Sequence, residues 1–171
     1  PANYSLRVLR DYHMPPFKMC IDNVKPASVM PSYNEVDGLP SHANKWLLKD
    51  VLRKEWGFNG MIVSDYYGVE QLCNKHFVAE DMKKAAEVGF NSGVQYEFPQ
   101  GNCYKYLPEL IKERKVAQID VDKAVSQVLE LKFRLGLFEN PYVDPDRAVK
   151  ISKDKNSREL ALKAAHESIV L

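Results

Sequence analysis

The run MIVSDYYGV, residues 61–69, carries an apolar stretch into a carboxylate set against two phenols. Asp65 has two uses in that position. It can cap a turn or the next helix, as aspartate commonly does in loops. Alternatively, a carboxylate held on a rigid strand beside Tyr66 and Tyr67 can serve as nucleophile or base, provided that nearby donors or cations keep it ionised against desolvation. A second strand end, VMPSYN at 29–34, presents Met30 and Tyr33. The Met30 thioether suits either gap-filling or ligand contact. Tyr33 offers an apolar face for a ring or a sugar and an O–H that must find a partner. Glu35 and Asp37 follow and could supply a second carboxylate, but the turn composition favours solvated loop acids.

These residues have to be positioned by elements, and the hydrophobic period supplies them. RVLRDYHMPPFKMCID, residues 7–22, predicts a helical segment interrupted at Pro15 and Pro16, which lack N–H groups. A short strand over Ala27–Met30 is stopped by Pro31, and Asp37, Gly38, Pro40 and Asn44 mark a loop. Residues 45–57 place Trp46, Leu47, Val51, Leu52 and Trp56 at helical spacing, with Gly57 as the stop. GMIVSD reads as a strand buried on both faces, as in a parallel sheet. A helix over 76–89, opened by His76 and closed by Gly89, uses Val78, Met82, Ala85, Ala86 and Val88. GVQYEF is a third strand, followed by a helical YKYLPELIKE.

Strand and helix alternating three times is the register of an α/β protein. Beyond Arg114 one longer helix is expected, capped by Asp120 or Asp122, with Val125, Val128, Leu129, Leu131 and Leu135 on its apolar side and Gly136 at its end. ENPYVDPDRAV then reads as an exposed linker, and NSRELALKAAHESIVL as a helix entering a strand. Three βα units cannot close a barrel, and as an open sheet they leave apolar parallel edges uncovered. The chain is therefore expected to belong to something larger, with its chemistry at the carboxyl ends of the strands.

Composition narrows the partner. At 45% hydrophobic and 27% charged, the 171 residues are ordinary for a globular core. Lys and Arg (24) nearly cancel Asp and Glu (23), so no electrostatic case exists for nucleic acid or an anionic membrane. Cys20, Cys73 and Cys103 lack CxxC spacing, which argues against a disulfide framework or zinc site. No apolar run approaches the roughly 20 residues of a membrane span. Asn3-Tyr4-Ser5 is a permissive sequon.

SVMPSYNEVDGLPSHANKWLLKDVLRKEWGFNGMIVSDYYGVEQL closely resembles the central catalytic stretch of family 3 glycoside hydrolases, a group of β-glucosidases, β-xylosidases and glucan exohydrolases. LELKFRLGLFENPYVDP and RELALKAAHESIVL resemble that family's passage from barrel to second domain. The resemblance implies an α/β fold comprising a partial (β/α)8 TIM-like barrel. Its later βα units would occupy residues 1–114, a helix and interdomain linker 115–150, and the start of a second α/β domain 151–171.

The family's Ser-Asp-aromatic motif matches Ser64, Asp65 and Tyr66, which implies Asp65 as catalytic nucleophile. Tyr66 would line the sugar pocket where many members have tryptophan. The Met-x-x-Tyr contact pair matches Met30 and Tyr33. The implied activity is retaining hydrolysis of terminal non-reducing β-D-glucosyl residues, on β-linked oligosaccharides or aryl glycosides, without metal or organic cofactor. β-Xylosidase activity, or a non-catalytic carbohydrate-binding or assembly role, are the alternatives, and the flanking coding sequence distinguishes the last. Lys75 and His76 invite comparison with the family's lysine-histidine pair but follow the nucleophile instead of preceding it, and are left out of the site. The acid/base glutamate is expected from outside this chain, so the isolated polypeptide should be inactive and prone to association. Exported relatives suggest a periplasmic or secreted enzyme.

Overall fold

A computed structural model describes residues 2–170. They form two compact units, divided after Leu131. The first is mixed α/β. Its chain begins with a helical turn, α1 (Leu6–Val8), followed by a π-wound segment, Leu9–His13, and then α2 (Pro15–Val24). The two prolines expected to break this region start α2 instead, because the first helical turn needs no N–H partner there.

Three strands pair in parallel in the order β1 (Ser28–Val29), β4 (Met61–Tyr66), β5 (Tyr96–Phe98). Ser28 pairs with Met61 and Val63 with Tyr96, with an irregularity before Tyr66 meets Phe98. The central strand is the one that ends on Asp65 and Tyr66. Ile62 and Ser64 are buried, while Met61, Val63 and Asp65 on the alternate face are half-buried. Between β1 and β4 lies a small antiparallel pair, β2 (Glu35–Val36) and β3 (Leu39–Pro40). Its two-residue turn holds Asp37 at φ +52° and Gly38 at φ +77°, the positive values that a tight hairpin requires. Asp37-Gly38 is the local signal for this hairpin, which replaces the expected loop.

The expected helix over 45–57 is present as Trp46–Glu55, wound with i→i+5 bonds such as Trp56 N–H to the Val51 carbonyl at 3.0 Å. It buries Leu48, Val51 and Leu52. After β4 comes α3 (Gln71–Asn74), then α4 (Met82–Ser92). Two boundary expectations are corrected here. His76 does not open α4; Asp81 does, its carboxylate accepting the Lys84 N–H at 2.7 Å. Gly89 does not close it; Gly93 does, at φ +116°, a value few side chains tolerate. Gly89 lies inside α4, where an added Cβ would press to 3.2 Å from Val69 Cγ1, so its smallness serves packing. Ile62, Leu72, Ala85, Ala86 and Val94 are fully buried in one core with Leu48 and Leu110.

A 3-10 turn, Tyr104–Tyr106, leads into α5 (Leu107–Lys112), and α6 runs Gln118–Arg134. Asp120 and Asp122 are inside α6 instead of capping it. Ala124 is its buried residue, with Val121, Val128 and Leu131 half-buried, while Val125, Leu129 and Leu135 are exposed, contrary to the expected apolar side. The second unit contains α7 (Pro145–Ser152) in the stretch read as linker, because Asp144 caps it by accepting the Asp146 N–H at 3.0 Å. α8 (Lys155–Glu167) follows, with Asp154 as cap. Residues 168–170 form no strand, and Leu171 lies outside the described residues. Among the described residues no helix is long and apolar enough to cross a membrane.

Candidate active site

β4 delivers Asp65 to the carboxyl end of the parallel sheet, where loops from neighbouring strands converge. The chain turns immediately. Gly68 N–H closes on the Asp65 carbonyl at 2.9 Å, with Tyr67 at φ +56° inside the turn. The Asp65 side chain is half-buried, and its Oδ1 accepts the Tyr66 N–H at 2.7 Å. That bond fixes the carboxylate's orientation with one oxygen occupied.

Tyr33 comes to the same place from the loop after β1. Its hydroxyl donates to the Tyr66 carbonyl at 2.7 Å. Desolvation, and next the neighbouring Asp65 carboxylate, hold this phenol above its ordinary pKa, so the group stays a proton donor. Tyr66 turns its ring edge-on to Phe98, 4.7 Å between centroids, and leaves about half of its surface exposed (52%). Met30 is likewise exposed, at 55%. Three of the sequence-derived candidates, Tyr33, Asp65 and Tyr66, are thus in mutual contact; no contact joins Met30 to them among the described interactions.

Lys75 and His76, which follow Asp65 in the chain, belong to these surroundings. Lys75 Nζ lies 5.7 Å over the Tyr33 ring. The His76 side chain, 9% exposed, bonds through Nδ1 to Glu35 Oε1 at 2.9 Å. Glu35 is therefore tied to an imidazole instead of being a solvated loop acid, and Asp37 is exposed in the hairpin turn. His42 was missed altogether. It is buried, accepts the Asp65 N–H through Nε2 at 3.1 Å, and stacks on Tyr33 at 6.5 Å between centroids. Burial above all pushes its pKa down to about 4, and the nearby His76 adds to this against the pull of Asp65. No sequence pattern announces it, because His42 and Asp65 are neighbours only after folding.

The strands behind the site are held by polar bonds. Ser64 Oγ accepts the Phe98 N–H at 2.8 Å. Glu97, buried, accepts the N–H groups of Cys103 at 3.0 Å and Tyr104 at 2.7 Å, while desolvation raises its pKa. Gln95 Oε1 accepts from Ile62 N–H and from Arg53 at the opposite ends of the strands. These are structural duties. Among the described residues no group of three or more His, Cys, Asp or Glu could hold a metal ion. A half-buried carboxylate with one oxygen pinned, beside a phenol and the exposed ring of Tyr66, suits nucleophilic attack on a carbon held against an aromatic face.

Comparison with known proteins shows the family of the chain. The family model for the glycosyl hydrolase family 3 N terminal domain matches residues 1–131. A periplasmic β-glucosidase of Salmonella typhimurium is 39% identical over 172 residues, covering 98% of this chain and 22% of its own length. A β-xylosidase of Formosa agariphila is 35% identical over 178 residues, covering 99% of this chain and 24% of its own. Among solved structures, a β-glucosidase from Listeria innocua in complex with glucose superposes with TM-score 0.77 at 38% identity, over 82% of this chain and 19% of that one. The chain thus spans about a quarter or less of the length of these relatives.

Proposed function

Because the chain belongs to glycosyl hydrolase family 3, we propose that it is the later part of the catalytic (β/α)8 barrel of a retaining β-glycosidase. In this reading residues 1–114 supply barrel units, 115–150 a helix and interdomain linker, and 151–171 the start of a second α/β domain. The substrate is a terminal β-D-glucosyl residue of an oligosaccharide or aryl glycoside. The observation that carries the reading is the position of Asp65 at the carboxyl end of the central parallel strand, with the Tyr33 hydroxyl beside it.

Asp65 acts as the nucleophile. Its oxygen not held by Tyr66 N–H attacks the anomeric carbon, forming a glycosyl ester as the glycosidic bond breaks. An acid from elsewhere in the complete enzyme protonates the leaving oxygen. Water then attacks the same carbon, the acid's conjugate base takes its proton, and the Asp65 carboxylate is released. Tyr33, its hydroxyl donated to the Tyr66 carbonyl, stands beside the carboxylate, and Met30 and Tyr66 line the sugar. Two features support the assignment to sugars: Tyr66 exposes aromatic surface next to the carboxylate, and the Listeria innocua β-glucosidase is solved with glucose and, as a mutant, with laminaribiose.

The β-xylosidase reading is kept because a β-xylosidase is among the relatives at 35% identity. Rates on paired aryl β-glucoside and β-xyloside separate the two. The nucleophile is tested by treating the complete enzyme with a 2-fluoro β-glucoside and mapping the labelled peptide. Label on Asp65 supports the reading; label on Glu35 or Asp37 overturns it.

A further inference from the structure

His42 is a polar side chain with 2% of its surface exposed, on a short 3-10 turn, Ser41–Ala43, between the hairpin and the Trp46–Glu55 helix. Its ring is fixed from three sides. Nε2 accepts the Asp65 N–H at 3.1 Å. One ring face stacks on Tyr33, 27° from parallel. The backbone of Gly68 closes the remaining side so tightly that a Cβ there would fall 2.2 Å from Nε2. A neutral imidazole has one donor and one acceptor nitrogen, so accepting at Nε2 puts the proton on Nδ1, on the side of the Ser32 backbone.

A ring that only filled space would need none of this. The bond reaches the backbone of the residue whose carboxylate attacks, and the stack reaches the phenol beside that carboxylate. Both substrate-facing groups are therefore referred to one buried ring. We infer that His42 is a positioning residue for the glycosylation step proposed above, its neutral Nε2 holding the Asp65 backbone while its face sets Tyr33, with Gly68 retained as glycine to admit the ring.

The inference rests on Asp65 being the nucleophile, and the experiment separates the two claims. In the complete enzyme, His42→Phe keeps the ring and its stack on Tyr33 but removes the acceptor. His42→Gln restores an acceptor near the place of Nε2. Covalent labelling by a 2-fluoro β-glucoside is followed by intact mass, as limiting rate and as half-saturating concentration. His42→Phe should lower the limiting rate about tenfold to a hundredfold, as expected for a reacting group displaced by a fraction of an ångström to 1 Å. Half-saturation should stay nearly unchanged, and His42→Gln should recover most of the rate.

An unchanged limiting rate in His42→Phe overturns the inference. So does a His42→Gln variant as slow as His42→Phe, since an acceptor for the Asp65 N–H would then not be what sets the rate. If the unaltered enzyme takes its label at a residue other than Asp65, the nucleophile assignment falls first and the positioning role falls with it.

Discussion

Gly68→Ala probes the packing under Asp65 most directly. The added methyl would lie 2.2 Å from His42 Nε2, 2.5 Å from Cε1 and 2.8 Å from Cδ2. Ordinary contact begins at 3.4 Å, so the ring must move by about 1.2 Å. It cannot swing into solvent, being 2% exposed, and Tyr33 blocks one face. Overpacking of this kind costs about 1–3 kcal/mol. Moving Nε2 also leaves the Asp65 N–H without its acceptor, a further penalty of about 1–3 kcal/mol. The expected loss is therefore about 2–6 kcal/mol, a large share of a typical domain's stability. Urea unfolding at pH 7 reads the loss as a lower midpoint at unchanged slope, and hydrogen exchange at the Asp65 amide reads the broken bond locally. In a His42→Ala background the obstacle is gone, and Gly68→Ala should cost at least about 1 kcal/mol less. A Gly68→Ala protein within about 0.5 kcal/mol of the unaltered one, or an equal loss in both backgrounds, would refute the reasoning.

The remaining predictions concern pH, register and capping. His42 titrates near 4 in the fold against 6.5 when unfolded, so the unfolded chain binds more protons between those values. Stability should fall as pH drops from about 6.5 to 4, by about 3 kcal/mol; urea midpoints of His42→Gln should lack that part of the loss. Ser64→Ala removes the acceptor of the Phe98 N–H and should cost about 1–3 kcal/mol, with faster exchange of the Phe98 amide. Unchanged exchange there would show that the bond does not hold β4 to β5. Asp81→Ala deletes the α4 cap and should cost about 1 kcal/mol in the same titration, with Asp81→Asn losing much less.

Much of this protein can be read along the chain because the information is local. An apolar run ending on Asp65 marks a strand with a carboxylate at its mouth, and the order of segments from Ser28 to Leu72 carries the family. Helix positions over 46–55, 82–92, 107–112 and 118–134 follow from spacing repeated every three to four residues. Boundaries were less accessible where two candidates compete within a few residues. Gly89 and Gly93 both look like helix stops, and only the contact of Gly89 with Val69 shows that one is there for packing. Asp144 in a proline-rich stretch looks like linker until its carboxylate is seen to cap α7.

The surroundings of the carboxylate were decided by tertiary structure alone. His42 lies 23 residues from Asp65, and His76 lies 41 from Glu35, separations at which no periodicity relates one side chain to another. Their roles come from the parallel pairing of β1 with β4, which brings the loops after both strands to the same end of the sheet. Residue types along the chain therefore marked Asp65 as the candidate carboxylate and determined the family of the protein. Which imidazole stands beneath it, and why residue 68 has no side chain, depended on distances that exist only once the strands are side by side.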